Sequence, residues 1–203
     1  MDNHISTTMN FLNRWFSAEK ATEKTLKIRK TYEGYTAAGC LFMENGLVIA
    51  GIQPNKTPRC ISGLGGKKHF GETYIQTALR ETVEELYGYD YFEHMVEFSD
   101  IIRKVINTVP IRNTIENGTY ISVVYTFKDL ETIMGIVAKQ KLVSPFYVTP
   151  PKTLQDLLLK RDWRDALPEV TTLVLLPASQ TMVDHNFSED VRLARLMPPN
   201  RAN

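Results

Sequence analysis

Glu81, Glu84 and Glu85 stand at i, i+3 and i+4, a spacing that points three carboxylates from one face of an α-helix. Like charges so placed repel by some tenths of a kcal/mol per pair, roughly. An acidic, solvated helix face is the ordinary reading of such a trio. The chemical reading is a hard divalent cation: Mg²⁺ takes oxygen ligands in octahedral geometry and shares them between carboxylates and phosphate oxygens. Arg80 lies four residues before Glu84 and can hold that carboxylate in place, the support that metal ligands need. Upstream, Gly65 and Gly66 let the backbone approach a phosphate closely or turn sharply into the helix. Lys67 and Lys68 follow them and could pair with phosphate oxygens, against the simpler reading of a solvated loop. His69 could touch a substrate there or be merely exposed.

The helix that must carry the trio is predicted over Thr73–Tyr87. Ile75, Leu79, Thr82, Val83 and Leu86 recur at three- and four-residue spacing on a separate face, which makes a buried stripe, and Gly88 sits where a C-terminal cap is expected. Before it, Thr36–Met43 and Leu47–Ile52 read as strands joined by a hairpin at Asn45-Gly46, and residues 60–64 form a short apolar run. Ile101–Val109, Tyr120–Phe127 and Val170–Leu176 read as further strands, with Asn117-Gly118 as a turn between the first two. Asp129–Lys139 and Thr153–Leu159 read as helices. A last helix is expected over Ser188–Met197, capped by Ser188 and stopped by Pro198-Pro199. Helices and strands mix without strict alternation, so an α+β or α/β/α layered domain is expected. Residues 1–33 are expected to form a helical, basic extension ahead of a domain spanning 34–203.

Five residues separate Gly66 from Glu72 and seven separate Glu72 from Arg80; Glu81 follows, and after two more residues come Glu84 and Glu85. This resembles the Nudix box, G-x5-E-x7-R-E-U-x-E-E-x-G-U with U a bulky aliphatic. The chain departs from it twice: Thr82 fills the first U position, and Tyr87 stands where the last glycine belongs, with Gly88 one place late. Neither change removes a carboxylate. The resemblance implies a Nudix fold, an α+β (α/β/α) sandwich around a mixed β-sheet, over about Tyr35–Met197. It implies a hydrolase that cuts a nucleoside diphosphate from another moiety (nucleotide, nucleotide sugar, dinucleotide or capped RNA). Glu81, Glu84 and Glu85 would bind Mg²⁺, with Mn²⁺ as the alternative. Glu72 would be an accessory ligand or a support, and Arg80 would orient the glutamates. The backbone carbonyl of Gly65 or Gly66 is a further candidate to touch the metal. The metal would cancel phosphate charge and acidify a water. The general base is a box glutamate or an acid from a later loop. Glu169 is the preferred outside candidate, with Glu116 and Asp129 as rivals. The competing function is a Nudix-fold module that binds nucleotide or RNA without cleaving it.

The 203 residues suffice for one domain with a core. A net charge of +1, with 43% hydrophobic and 23% charged residues, gives no global drive toward nucleic acid or a membrane surface. Two cysteines, Cys40 and Cys60, make no disulfide framework and point to a reducing compartment. The expectation is an intracellular, cytoplasmic, soluble protein without a membrane span. Its expected partner is a nucleotide-type small molecule. The basic N-terminal stretch leaves RNA weakly open, and residues 1–33 are candidates for a homodimer interface. Tyr120, Tyr125, Phe146, Tyr147 and Trp163 could stack a base, although the core is the simpler place for most of them.

Overall fold

The computed structural model describes residues 34–54, 60–162, 168–179 and 184–197. The expected extension over 1–33, Trp163 and Pro198-Pro199 lie outside these residues.

The first hairpin forms as the sequence predicts. Strands β1 (Ala37–Glu44) and β2 (Leu47–Gln53) are joined through Asn45 and Gly46, both at positive φ, the turn whose twist matches that of the flanking strands. β3 (Cys60–Ser62) pairs with β2, and β4 (Leu64–Lys67) pairs antiparallel with β1 through Gly39 and Gly65. The helix α1 (Tyr74–Tyr87) follows. Next come α2 (Met95–Thr108), β5 (Asn113–Asn117), β6 (Tyr120–Tyr125), α3 (Phe127–Ala138), α4 (Leu154–Leu159), β7 (Thr172–Pro177) and α5 (His185–Leu196). One seven-stranded mixed sheet results. β1 and β6 run parallel, while the β5–β6 and β2–β7 pairs are antiparallel.

The sheet is covered on both faces, as expected for an α/β/α sandwich. α1 lies against β1, β4 and β6, and Ile75, Ala78, Leu79, Thr82, Val83 and Leu86 are all buried beneath it. Full burial of a Leu or Ile side chain contributes about 1.5–3 kcal/mol. Several such residues on one stripe easily hold a helix whose other face carries repelling glutamates. On the opposite face, Phe187 and Val191 of α5 close a second cluster with Leu41, Val48, Ala50, Ile115 and Val124. Cys40 and Cys60 are buried and form no disulfide, and burial pushes the Cys40 thiol up to about 12.

Three expectations fail. Ile101–Val109 is not a strand: Ile101–Thr108 is the second half of α2, and Val109 is its C-cap. Phe98, Ile101, Ile102 and Val105 are its buried residues, and their three- and four-residue spacing is helical, whatever the β-branched composition suggests. The hairpin at Asn117-Gly118 exists, but its first arm is β5, whose pairing with β6 runs from Asn113↔Val124 to Asn117↔Tyr120. The last helix begins earlier than expected. Asp184, not Ser188, caps it, with Asp184 Oδ1 accepting from the Phe187 N–H at 2.8 Å. No helix among the described residues is long and apolar enough to cross a membrane.

Candidate active site

Arg80 is the hub of the acidic face. It is 1% exposed, and its guanidinium uses five N–H donors on five acceptors. Nε donates to Glu72 Oε1 at 2.7 Å and Nη2 to Glu72 Oε2 at 3.0 Å. Nη1 donates to Glu81 Oε1 at 2.8 Å and Glu84 Oε2 at 2.7 Å, and Nη2 also to the Lys67 carbonyl at 2.7 Å. Burial alone would lower its pKa, but the paired carboxylates, Glu72 first, raise it, so the charge is permanent. Glu72 sits just before the helix cap and also accepts from the His69 N–H and the Thr77 hydroxyl. Burial pushes its carboxyl up, and these partners more than reverse that, leaving it lowered. With both oxygens engaged, Glu72 braces Arg80. The capping box of α1, in which Thr73 and Gln76 bond reciprocally, fixes the register from Glu72 onward.

Glu85 is in a different situation. Its Oε2 accepts from the Gly65 N–H at 2.7 Å, and its Oε1 is buried without a hydrogen-bond partner. Burial, then the nearby Glu169, drive its pKa well above the ordinary carboxylate range, and the Gly65 N–H only partly offsets them. Burial also raises Glu81 and Glu84, against the pull of Arg80. A cleft of about 410 Å³ joins these groups. Glu81, Glu84, Glu85, Asp90, Pro145, Phe146 and Glu169 are among its lining residues. Glu169 is exposed there, with Oε1 held by Gln53 Nε2 at 3.1 Å. Gly66 makes room for the cluster, since a Cβ at that position would run into the Glu81 carboxylate. Among the described residues, no three His, Cys, Asp or Glu side chains already stand as a metal-binding group. Instead, Arg80 holds one oxygen each of Glu81 and Glu84, and the Tyr91 N–H holds the other oxygen of Glu84.

The late glycine is absorbed by the helix end. Gly88 adopts φ +71° and returns its N–H to the Glu84 carbonyl, so α1 simply runs one residue further before its left-handed cap. A side chain there would strike Phe146 and Pro145. Tyr87, in the expected glycine position, is fully buried and stacked on Tyr89 at 5.4 Å. Arg161 completes the end and is invisible to motif reading. Its Nη2 and Nη1 donate to the carbonyls of Glu85 and Leu86, and Nη2 and Nε to those of Val170 and Thr171. Ser144 Oγ donates to the Tyr87 carbonyl. The last four carbonyls of α1, which no helix can satisfy internally, are thus all bonded. The same guanidinium ties α1 to the chain immediately after Glu169.

The remaining sequence candidates fall elsewhere. Lys67 and Lys68 do not line the cleft; the Lys68 ammonium lies 4.3 Å from the Tyr35 ring centroid. Asp129 is in the capping box of α3 and paired with Arg112, and Glu116 faces outward on β5. Tyr125, Phe146 and Tyr147 are buried, and Tyr120 is packed beside Gly39 and Gly65. Of these four rings, only Phe146 borders the cleft.

Box spacing, a buried arginine bracing the glutamates and a two-sided α/β/α sandwich now stand together. The chain resembles the Nudix hydrolases. No family profile and no curated protein matches it. Solved structures similar to it include a NUDIX hydrolase from Nitrosomonas europaea, 18% identical, covering 51% of each chain at a TM-score of 0.28. Another is a bifunctional NMN adenylyltransferase/ADP ribose pyrophosphatase from Francisella tularensis, complexed with AMP and a Mn ion. It is 11% identical over 90% of this chain and 46% of that one, with a TM-score of 0.39. A third is a NUDIX family hydrolase from Clostridium perfringens, 13% identical over 80% of this chain and 98% of that one, with a TM-score of 0.34. The chain spans about half the length of the first two. At such overlaps the resemblance rests on the box residues, not on these neighbours.

Proposed function

We propose that the chain is a divalent-cation-dependent pyrophosphohydrolase of Nudix type, acting on a phosphoanhydride in a nucleoside diphosphate derivative. The observation that carries this reading is Glu85: a buried carboxylate with one oxygen fixed by a backbone N–H, the other without a partner, and Glu169 and Glu81 nearby. A buried anion among anions is costly unless a cation joins it. The donor set is all carboxylate oxygen, which fits Mg²⁺ or Mn²⁺.

Glu81, Glu84 and Glu85 would hold the ion, with Arg80 and Glu72 fixing the first two from behind. When bound, the ion supplies positive charge to the diphosphate and lowers the pKa of the attacking water. Glu169, exposed on the lining of the cleft and hydrogen-bonded by Gln53, would take the proton of that water. The cleft has room for a diphosphate, and the Gly65 N–H fixes one oxygen of Glu85, a residue of its lining.

The test is phosphate or nucleotide release across a panel of (d)NTPs, ADP-ribose, NADH, diadenosine polyphosphates and capped RNA, with and without Mg²⁺, for wild type and Glu85→Gln. The expected result is Mg²⁺-dependent release, lowered in the variant by more than about 100-fold, the loss that even an outer support of a metal ligand can bring. Equal inertness of both proteins would transfer the site to the second reading, a module that binds without cleaving. That reading draws on the grip of Arg80 on Glu81 and Glu84.

A further inference from the structure

We propose that His69, Tyr91 and Phe92 form a stacking platform for the nucleobase of the substrate, beside the carboxylates that receive its diphosphate. The inference rests on the function proposed above and names the part of the substrate that a second subsite grips.

The rings come from two loops that flank the acidic face. His69 and Phe92 stack at 5.4 Å with 28° between their planes. Tyr91 lies 5.5 Å from His69 and 5.4 Å from Phe92, and its other side meets Phe98, fully buried in α2, edge-on at 5.5 Å. The cluster is therefore rooted in the core and opens outward. Phe92 is 71% exposed and Phe70, next to His69, is wholly exposed. A single surface phenylalanine needs no explanation, but several aromatic rings gathered at one site do.

These rings are held in place. Asp90 Oδ1 accepts from the Phe92 N–H at 2.7 Å and the Glu93 N–H at 3.3 Å, a turn that fixes the backbone under the ring. Gly88 sets the direction in which the segment leaves α1. An exposed aromatic whose backbone is already ordered loses little freedom when a ligand covers it.

Hydrogen bonds join the platform to the reacting centre. The Tyr91 N–H donates to Glu84 Oε1 at 3.2 Å, and the His69 N–H donates to Glu72 Oε2 at 2.9 Å. The Tyr91 ring centroid is 5.6 Å from the Arg80 guanidinium carbon. Asp90, two residues before Phe92, lines the same cleft as Glu81 and Glu84, so a base on Phe92 and a diphosphate at the cleft would be parts of one nucleotide. Carboxylates that would hold a divalent cation favour a metal-bound nucleotide over an apolar protein surface, which would have to bury Glu81 and Glu84 without that cation. Stacking on one aromatic is worth about 1–3 kcal/mol per base, a factor of about 5–150 in affinity.

The experiment titrates ADP and, separately, inorganic pyrophosphate by calorimetry in the presence of Mg²⁺. It uses wild type, Phe92→Ala, Phe92→Tyr and Val148→Ala, the last a fully exposed apolar side chain outside the cleft lining. The expected result is a loss of about 10–100-fold in ADP affinity for Phe92→Ala with pyrophosphate affinity held, restoration by Phe92→Tyr, and wild-type binding by Val148→Ala. Wild-type ADP affinity in Phe92→Ala overturns the platform. So does an equal loss for both ligands, or a change in self-association without a change in ADP binding. Hydrolysis is scored separately: a wild type that binds ADP through Phe92 but cleaves nothing sinks the hydrolase reading and leaves the platform standing.

Discussion

Thr82 occupies the place where the box asks for a bulky aliphatic, and the structure buries it completely. Its hydroxyl has no hydrogen-bond partner beyond the neighbouring Cys40 thiol, a weak one. A buried hydroxyl left in that state costs about 1–3 kcal/mol. Thr82→Val should therefore stabilise the protein by about 1 kcal/mol, a rise of about 2–4 °C in Tm for a chain of this length, without changing turnover. A drop in Tm, read by differential scanning calorimetry, would show that the Cys40 contact matters more than the geometry indicates. At this scale the box residues were legible in the sequence, because i, i+3 and i+4 spacing fixes the glutamates on one face of any helix. The split between them was not. Glu72 and Glu85 are both box acids, yet one is saturated by Arg80 and the other is left with a bare oxygen. Which of the two befalls a given acid depends on Gly65 and Lys67 across the β4–α1 turn.

At the scale of elements, the site is where the end of α1 meets the approach to β7, and Arg161 makes that joint. Four carbonyls from two segments converge on one guanidinium, which also stacks 4.1 Å from the Phe146 ring centroid. Its positive charge sits at the negative end of the α1 dipole. Arg161→Ala would leave those carbonyls unpaired and should cost about 3–5 kcal/mol. The more telling variant is Arg161→Lys, which keeps the charge but cannot fork across two segments. With the fold retained, as judged by circular dichroism, it should lower kcat by about 10-fold or more, because displacing a reacting group by about 1 Å is enough for larger losses. KM should change little. A folded Arg161→Lys with wild-type kcat would remove Arg161 from the positioning of Glu169. The clamp left no trace in the sequence because its acceptors are backbone carbonyls, which any residue supplies. The α2 and β5 errors share a different cause. Ile101, Ile102 and Val105 look β-forming by type, and only their spacing gives the helix away. β5 is a polar run with one buried side chain, Ile115, and takes its place through pairing with β6. The first hairpin and α1 were readable because local turn and cap chemistry specify them.

For the molecule as a whole, a net charge of +1 conceals a concentration of acid at one cleft, and on the proposed reading that concentration would tie folding to a divalent cation. Glu85 has a folded-state pKa raised by burial, then by Glu169. Its contribution to stability is therefore fully present below the unfolded-state pKa and is lost as pH rises through the folded-state value. Without a divalent cation, the protein should grow less stable on passing from about pH 5 to about pH 8. A cation that binds only the folded, ionised form reverses the trend by mass action, adding about 2.7 kcal/mol at a hundred times its Kd, or about 5–10 °C in Tm for a chain of this length. Thermal melts with a Mg²⁺ titration at the two pH values should show the larger shift at the higher one. Glu85→Gln removes both the buried charge and a proposed ligand. It should melt higher than the metal-free wild type at the higher pH and respond little to Mg²⁺. A Mg²⁺ shift that is independent of pH and survives Glu85→Gln would place the ion elsewhere on the molecule and detach the acidic cleft from metal chemistry.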